Sequence, residues 1–224
     1  MRAVGRLEIR VQAARVRPRR VPVELVVVSE GPYSNVSADM TPYSDEGGFH
    51  VPESAGELCG LWEQAMYGEP RWSADHPSSA FRKGSVVVRG PWPERVVVHK
   101  CMDPDEVPTW LDRLVSFLSD ERFTPEVRAA CGLGLLDWVH PFTDGNGHTG
   151  RLLMLAMLSD VYSQPMLVCL AHELVVNRAA TTRQFRQLRE RKGGADGFCL
   201  GMIGRIRDAQ ERALGMAALG SENE

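Results

Sequence analysis

The chemistry in this chain is concentrated in one run, His140-Pro141-Phe142-Thr143-Asp144-Gly145-Asn146-Gly147-His148-Thr149-Gly150-Arg151. His140 stands before a rigid proline at the end of an apolar segment. An imidazole there could take a proton from an attacking hydroxyl near neutral pH. Asp144 offers a hard oxygen, suited to magnesium held jointly with phosphate oxygens. Gly145 and Gly147 allow backbone angles closed to other residues and let amides curl around an anion. A helix beginning just after them adds its amides and the positive end of its dipole at the same spot. His148 and Arg151 are three apart and share a helix face, and a guanidinium beside an apolar core calls for an anion to meet it. Together these residues describe a phosphate cradle with a base beside it.

Other readings of the same residues are weaker. Gly145-x-Gly147-x-x-Gly150 formally matches the dinucleotide-binding fingerprint. That motif needs a preceding strand and an acid about 20 residues on, and here a helical pattern precedes it and no such acid follows. A P-loop needs Gly-Lys-Ser/Thr after the glycines, which is missing. A metal site from His140, Asp144 and His148 at four-residue spacing would need one continuous helix, which Pro141 and the glycines break. Residue by residue, Asp144 could instead cap the following turn and Asn146 could be a turn residue only. Arg151 could pair with Asp137 or another buried acid, and His148 stands evenly between phosphate contact and filler.

The elements that must position this loop are mostly helices. Thr124-Pro125-Glu126 is a helix start with Thr as cap and Pro in the first turn, and the helix runs to Val139. A second apolar helix is expected over Leu152–Val161. Both are apolar nearly all round, which places them in the core. Before them, Asp105–Asp120 carries apolar residues at helical spacing, and Glu57–Tyr67 reads as a short helix. Val86–Arg89 and Arg95–His99 are Val-rich strands around Gly90-Pro91-Trp92-Pro93, a hairpin. Thr181–Arg191, closed by Gly193-Gly194, and Phe198–Ala217 are further helices. At the start, Leu7–Val16 and Val21–Val28 read as two strands, and residues 29–53 as loop or linker. Trp92 and Trp110 suit hairpin or core packing. His50, His76 and His172 are taken as structural.

Composition narrows the class. The formal charge of −3 and a sequence pI near 6.1 give no general attraction to nucleic acid or to an anionic membrane. The basic cluster Arg15, Arg17, Arg19 and Arg20 reads as a solvated turn. Neither a signal-peptide core nor a run long enough for a bilayer is visible, so a cytoplasmic location is expected. Five scattered cysteines without tight pairs predict buried thiols in a reducing compartment rather than a disulfide framework.

The run His140–Arg151 closely resembles the signature of Fic domains, His-Pro-Phe-x-(Asp/Glu)-Gly-Asn-(Gly/Lys)-Arg-x-x-Arg. It departs only at His148, where the family usually has arginine. The likeness of layout extends from about Leu58 to Leu214 and includes the hairpin, which resembles the family's target-binding flap, and the helix start at 104–108. The resemblance implies a mainly α fold, a Fic-like helical bundle over 54–217 with a small β-hairpin flap. A β-rich extension and linker over 1–53 would precede it, and a tail over 218–224 would follow. It implies a transferase moving AMP from ATP to a Ser, Thr or Tyr hydroxyl of a target protein. By that likeness His140 is the general base and Asp144 the magnesium ligand. Gly145, Asn146 and Gly147 form the anion hole, with His148 and Gly150 beside it, Arg151 holds the terminal phosphates, and Phe142 anchors the loop. Arg95, Val96, Val97, Val98 and His99 would align the target by strand addition. Phe185 falls where relatives present a ring to the base, or is helix core. Other members are phosphotransferases or use other donors, and a silent nucleotide-binding regulator is the reading from another class. No clean Ser/Thr-x-x-x-Glu-Gly/Asn inhibitory helix is found, which leaves inhibition to a partner protein. Self-association is left open.

Overall fold

Thr124 accepts a hydrogen bond from the Val127 amide at 3.5 Å, Pro125 fills the first turn, and α3 (Pro125–Val139) runs from that cap to the edge of the motif. The computed structural model describes residues 50–66, 81–89, 97–190 and 194–221. The fold there is mainly helical: α1 (Ala55–Met66), α2 (Val107–Leu118), α3, α4 (Asn146–Ser159), α5 (Gln164–Val176), α6 (Arg178–Glu190) and α7 (Gly194–Ser221), with one β-ribbon before α2.

The pair α3 and α4 forms the centre. Leu133, Leu136 and Val139 of α3 and every residue of α4 from Leu152 to Leu158 are buried. Neither helix has a solvent face of ordinary width, because α1 covers α4, α2 covers α3, and α5 to α7 close the far side. The two central helices approach closely at Gly150. A Cβ there would lie 2.7 Å from Leu133 Cδ1, so only glycine lets the loop's two flanking helices pack at this spacing.

β1 (Val87–Arg89) and β2 (Val97–Lys100) pair antiparallel, with Val88 opposite His99 and a register irregularity between Val88 and Arg89. The two expected strands are therefore paired as a ribbon among the described residues, the second running on to Lys100. Arg95 and Val96, the intervening turn with Trp92, and the strands expected at Leu7–Val16 and Val21–Val28 lie outside the described residues.

Several boundaries differ from the sequence reading. α4 begins at Asn146, not Leu152, because Gly145 turns the chain in the left-handed region and its carbonyl accepts from Thr149 N at 2.9 Å and Thr149 Oγ1 at 3.0 Å. A 3-10 turn, Pro104–Glu106, precedes α2. α5 was not foreseen; its apolar composition lacks the one-sided periodicity that identifies a surface helix. Gly194 opens α7 rather than closing α6, four residues before the expected start. Among the described residues no helix is long and apolar enough to cross a membrane.

Candidate active site

His140 is the residue on which α3 ends. Its amide still donates to Leu136 O at 2.9 Å, but its own backbone sits at φ 53°, ψ 59°, in the left-handed region. A non-glycine residue there is held against a preference of about 1–2 kcal/mol. The half-buried ring points back along its helix, with Nδ1 3.3 Å from the Asp137 carbonyl oxygen. A carbonyl can only accept, so this bond requires the proton on Nδ1. The neutral ring then carries its lone pair on Nε2.

The strained backbone is held from outside the motif by Arg82, which is only 4% exposed. Its Nε donates to His140 O at 2.7 Å, and one Nη donates to Met102 O at 2.7 Å and Val139 O at 3.3 Å. The other donates to Gly84 O at 3.0 Å. The Arg82 amide donates to Pro141 O at 2.8 Å. One guanidinium thus satisfies carbonyls at the C-terminus of α3, where its charge also suits the helix dipole. It ties both ends of the β-ribbon to the His140 turn. Sequence reasoning missed Arg82, since a lone arginine in an irregular stretch carries no signal.

Phe142 fixes the middle of the loop. Its ring is 1% exposed, with centroids 5.6 Å from Trp62 and 5.8 Å from Phe81, in a small cluster with Cys59 and Met66. Trp62 Nε1 also donates to Asp144 O at 2.8 Å, so α1 holds the loop at two points. Trp62 was not singled out from the sequence; its place in an amphipathic helix gives it no distinguishing mark. Asn146 bonds through both side-chain atoms: Oδ1 accepts from Phe142 N at 2.9 Å and Nδ2 donates to Phe142 O at 2.8 Å. Its side chain clasps the loop, and its backbone amide stands at the first turn of α4.

The N-terminus of α4 has no side-chain cap. Asn146 and Gly147 supply amides that, by position, have no acceptor within the helix. Gly145 (φ 81°) could not carry a side chain, since its Cβ would stand 2.8 Å from Trp62 Nε1 and nearer still to Met66. The Arg151 guanidinium folds back along the helix, its Nη1 3.5 Å from where a Cβ on Gly147 would lie. A positive group, free-ended amides and a helix dipole therefore converge at Gly147. Asp144 is exposed at the entrance, its Oδ1 accepting from Gly145 N at 2.7 Å. His148 is half-buried in the same first turn. At Gly150 the missing side chain makes room for Leu133, so this glycine serves the packing of α3 on α4.

Asp137 settles one alternative, because its partner is Arg189 of α6, not Arg151. Burial pushes the Asp137 carboxyl up to about 6, against the opposing pull of Arg189. Phe185 packs on Phe198 at 4.9 Å and stands 5.9 Å from the Arg189 guanidinium carbon, in keeping with a core role. Val97, Val98 and His99 are on β2, whose base Arg82 fastens beside His140. A surface hollow formed by α2 and the turn after it, lined by Arg113, Phe117 and Phe123, lies away from this loop, and its Asp120 is already paired with Arg122.

Comparison with known proteins agrees with this arrangement. The Fic/DOC family model matches residues 52–158. A Fic family protein from Desulfovibrio desulfuricans G20 superposes with a TM-score of 0.60 at 26% identity, over 82% of this chain and 53% of that one. This chain thus spans about half the length of that protein. No curated protein matches. The matched segment runs from just before α1 to the end of α4 and so takes in Arg82, the Asn146 clasp and the whole loop: these residues carry a Fic domain.

Proposed function

We infer that the chain is a Fic-type transferase that moves AMP from ATP to a Ser, Thr or Tyr hydroxyl of a target protein, with magnesium. The observation that carries this reading is the His140 ring, fixed at the end of α3 with Nδ1 3.3 Å from Asp137 O; with the proton on Nδ1, Nε2 is the nitrogen that acts as base. In the reaction, the target hydroxyl oxygen attacks the α-phosphorus and Nε2 takes its proton. The bond from that phosphorus to the β-bridging oxygen breaks, and pyrophosphate leaves. The amides of Asn146 and Gly147 and the Arg151 guanidinium receive the charge that develops on the phosphate oxygens. His140 itself needs no large movement, since Arg82 already fixes its backbone.

Magnesium fits the residues present only as a companion of the nucleotide. Among the described residues no group of three or more metal-binding side chains stands together. Asp144 alone offers an exposed carboxylate beside the amide turn, and magnesium is commonly held by one or two carboxylates plus substrate phosphates. Bound there, the ion would neutralise phosphate charge and orient the leaving group. The ribbon strand β2 would present its edge to an extended target segment, a backbone-led recognition that suits many sequences.

His148 supports a second reading. A shorter side chain, charged only when protonated, makes no forked phosphate contact, which would favour another donor, a phosphotransferase reaction or nucleotide binding without turnover. The test is transfer of label from α-labelled ATP to protein in a cell lysate, with the His140→Ala chain beside it. Labelled protein that depends on His140 supports AMP transfer; label from the γ-position alone moves the reading to a phosphotransferase.

A further inference from the structure

The five cysteines are scattered in sequence, yet the fold brings two of them together. Cys131 on α3 and Cys199 on α7 are 68 positions apart, and their Sγ atoms lie 3.0 Å from each other. Both are half-buried. All five cysteines are free thiols, as expected, but Cys131, Cys169 and Cys199 are only partly buried. The contact is built into the helix packing. One turn along α3, a Cβ on Gly134 would lie 2.8 Å from Phe198 Cε1, so the ring next to Cys199 packs directly on the α3 backbone. Cys59 and Cys101 are buried elsewhere, in the α1 cluster and at the base of the ribbon, and burial pushes both thiols up.

We propose that Cys131 and Cys199 are a peroxide-reactive dithiol, which closes to an intramolecular disulfide between α3 and α7. With the sulfurs in contact, a hydrogen bond from the Cys199 thiol favours the Cys131 thiolate, which lowers Cys131 and raises Cys199. In the proposed step Cys131 attacks as the thiolate. It attacks one oxygen of hydrogen peroxide; the O–O bond breaks, and the departing hydroxide takes a proton to become water. The Cys131 sulfenic acid so formed lies against Cys199. The Cys199 sulfur then attacks the Cys131 sulfur, the S–O bond breaks, and a second water leaves with the Cys199 proton. Two thiols lose two electrons and one peroxide becomes two waters. The product staples α7 to the helix that ends at His140. This inference uses no part of the transferase reading.

The test is intact-mass and peptide mapping of the full chain after mild hydrogen peroxide, alongside Cys199→Ser and a chain with Cys59, Cys101 and Cys169 all changed to Ser. The wild type should lose two hydrogens, yield a dithiothreitol-sensitive peptide linking Cys131 to Cys199, and gain several degrees in unfolding temperature. The triple variant should do the same, and Cys199→Ser should instead give a Cys131 sulfenic acid trapped by dimedone. Unchanged mass, over-oxidation at Cys131 without the linked peptide, or linkage only between chains would overturn the proposal. Should the triple variant fail to fold, the wild-type peptide map decides alone.

Discussion

Arg82 Nε donates to the carbonyl oxygen of His140 over 2.7 Å, so the turn that carries the imidazole is fixed from the foot of the β-ribbon. The same guanidinium reaches Met102 O beyond the ribbon. On the proposed function, a target segment laid on β2 and the base that would accept its proton are both referenced to this one side chain outside the motif.

Arg82→Ala should therefore lower stability by about 2–4 kcal/mol, since it strands several buried carbonyls at once. Arg82→Lys should recover only part, because an ammonium cannot span the forked arrangement. Urea unfolding gives the stability of each variant. Label transfer at a temperature where Arg82→Lys is folded should still fall well below wild type.

Phe142→Ala should cost about 3–5 kcal/mol, the range for emptying a buried aromatic site. Asn146→Ala should cost about 1–3 kcal/mol by leaving the buried Phe142 amide and carbonyl without partners. Asn146→Asp should do little better, for a carboxylate can accept from Phe142 N but cannot donate to Phe142 O. Thermal and urea melts of the three variants check the order.

How much of this could be read beforehand varies with the kind of signal. The motif, the Thr124 cap and the Val-rich ribbon were legible because each is a local pattern with a local cause. The start of α4 was not: Gly145, Gly147 and Gly150 look like loop residues. Yet Gly147 and Gly150 are helical, and Gly145 is the left-handed turn before them; Trp62 and Met66 crowd Gly145, and Leu133 crowds Gly150. For Asn146 the sequence marked the position but not the clasp on Phe142, which is local, four positions away, but forms only once the loop has turned. Arg82 and the Arg189 partner of Asp137 were invisible because they lie 58 and 52 positions from the groups they hold.

Asp137 should make stability depend on pH in a defined window. Its carboxyl stands at about 6 in the folded chain, above its usual value, with burial outweighing Arg189. The protonated form is thus favoured by folding. Its contribution is complete below about pH 4 and is lost as pH rises through about 6. Wild-type unfolding free energy should fall across that interval, relative to Asp137→Asn, by up to about 3 kcal/mol. Urea titrations of both chains at several pH values measure the difference in slope. Parallel curves would remove Asp137 as the source.

The most direct test of the central claim compares ATP labelled at the α- and the γ-phosphate, with magnesium, the purified chain and a lysate as acceptor, for wild type and His140→Ala. The account predicts labelled protein from the α-position only. It also predicts loss of that label by a factor of about 100 or more in the variant, as expected when a general base is removed. Equal α-label in a folded His140→Ala chain, or label from the γ-position alone, would contradict it.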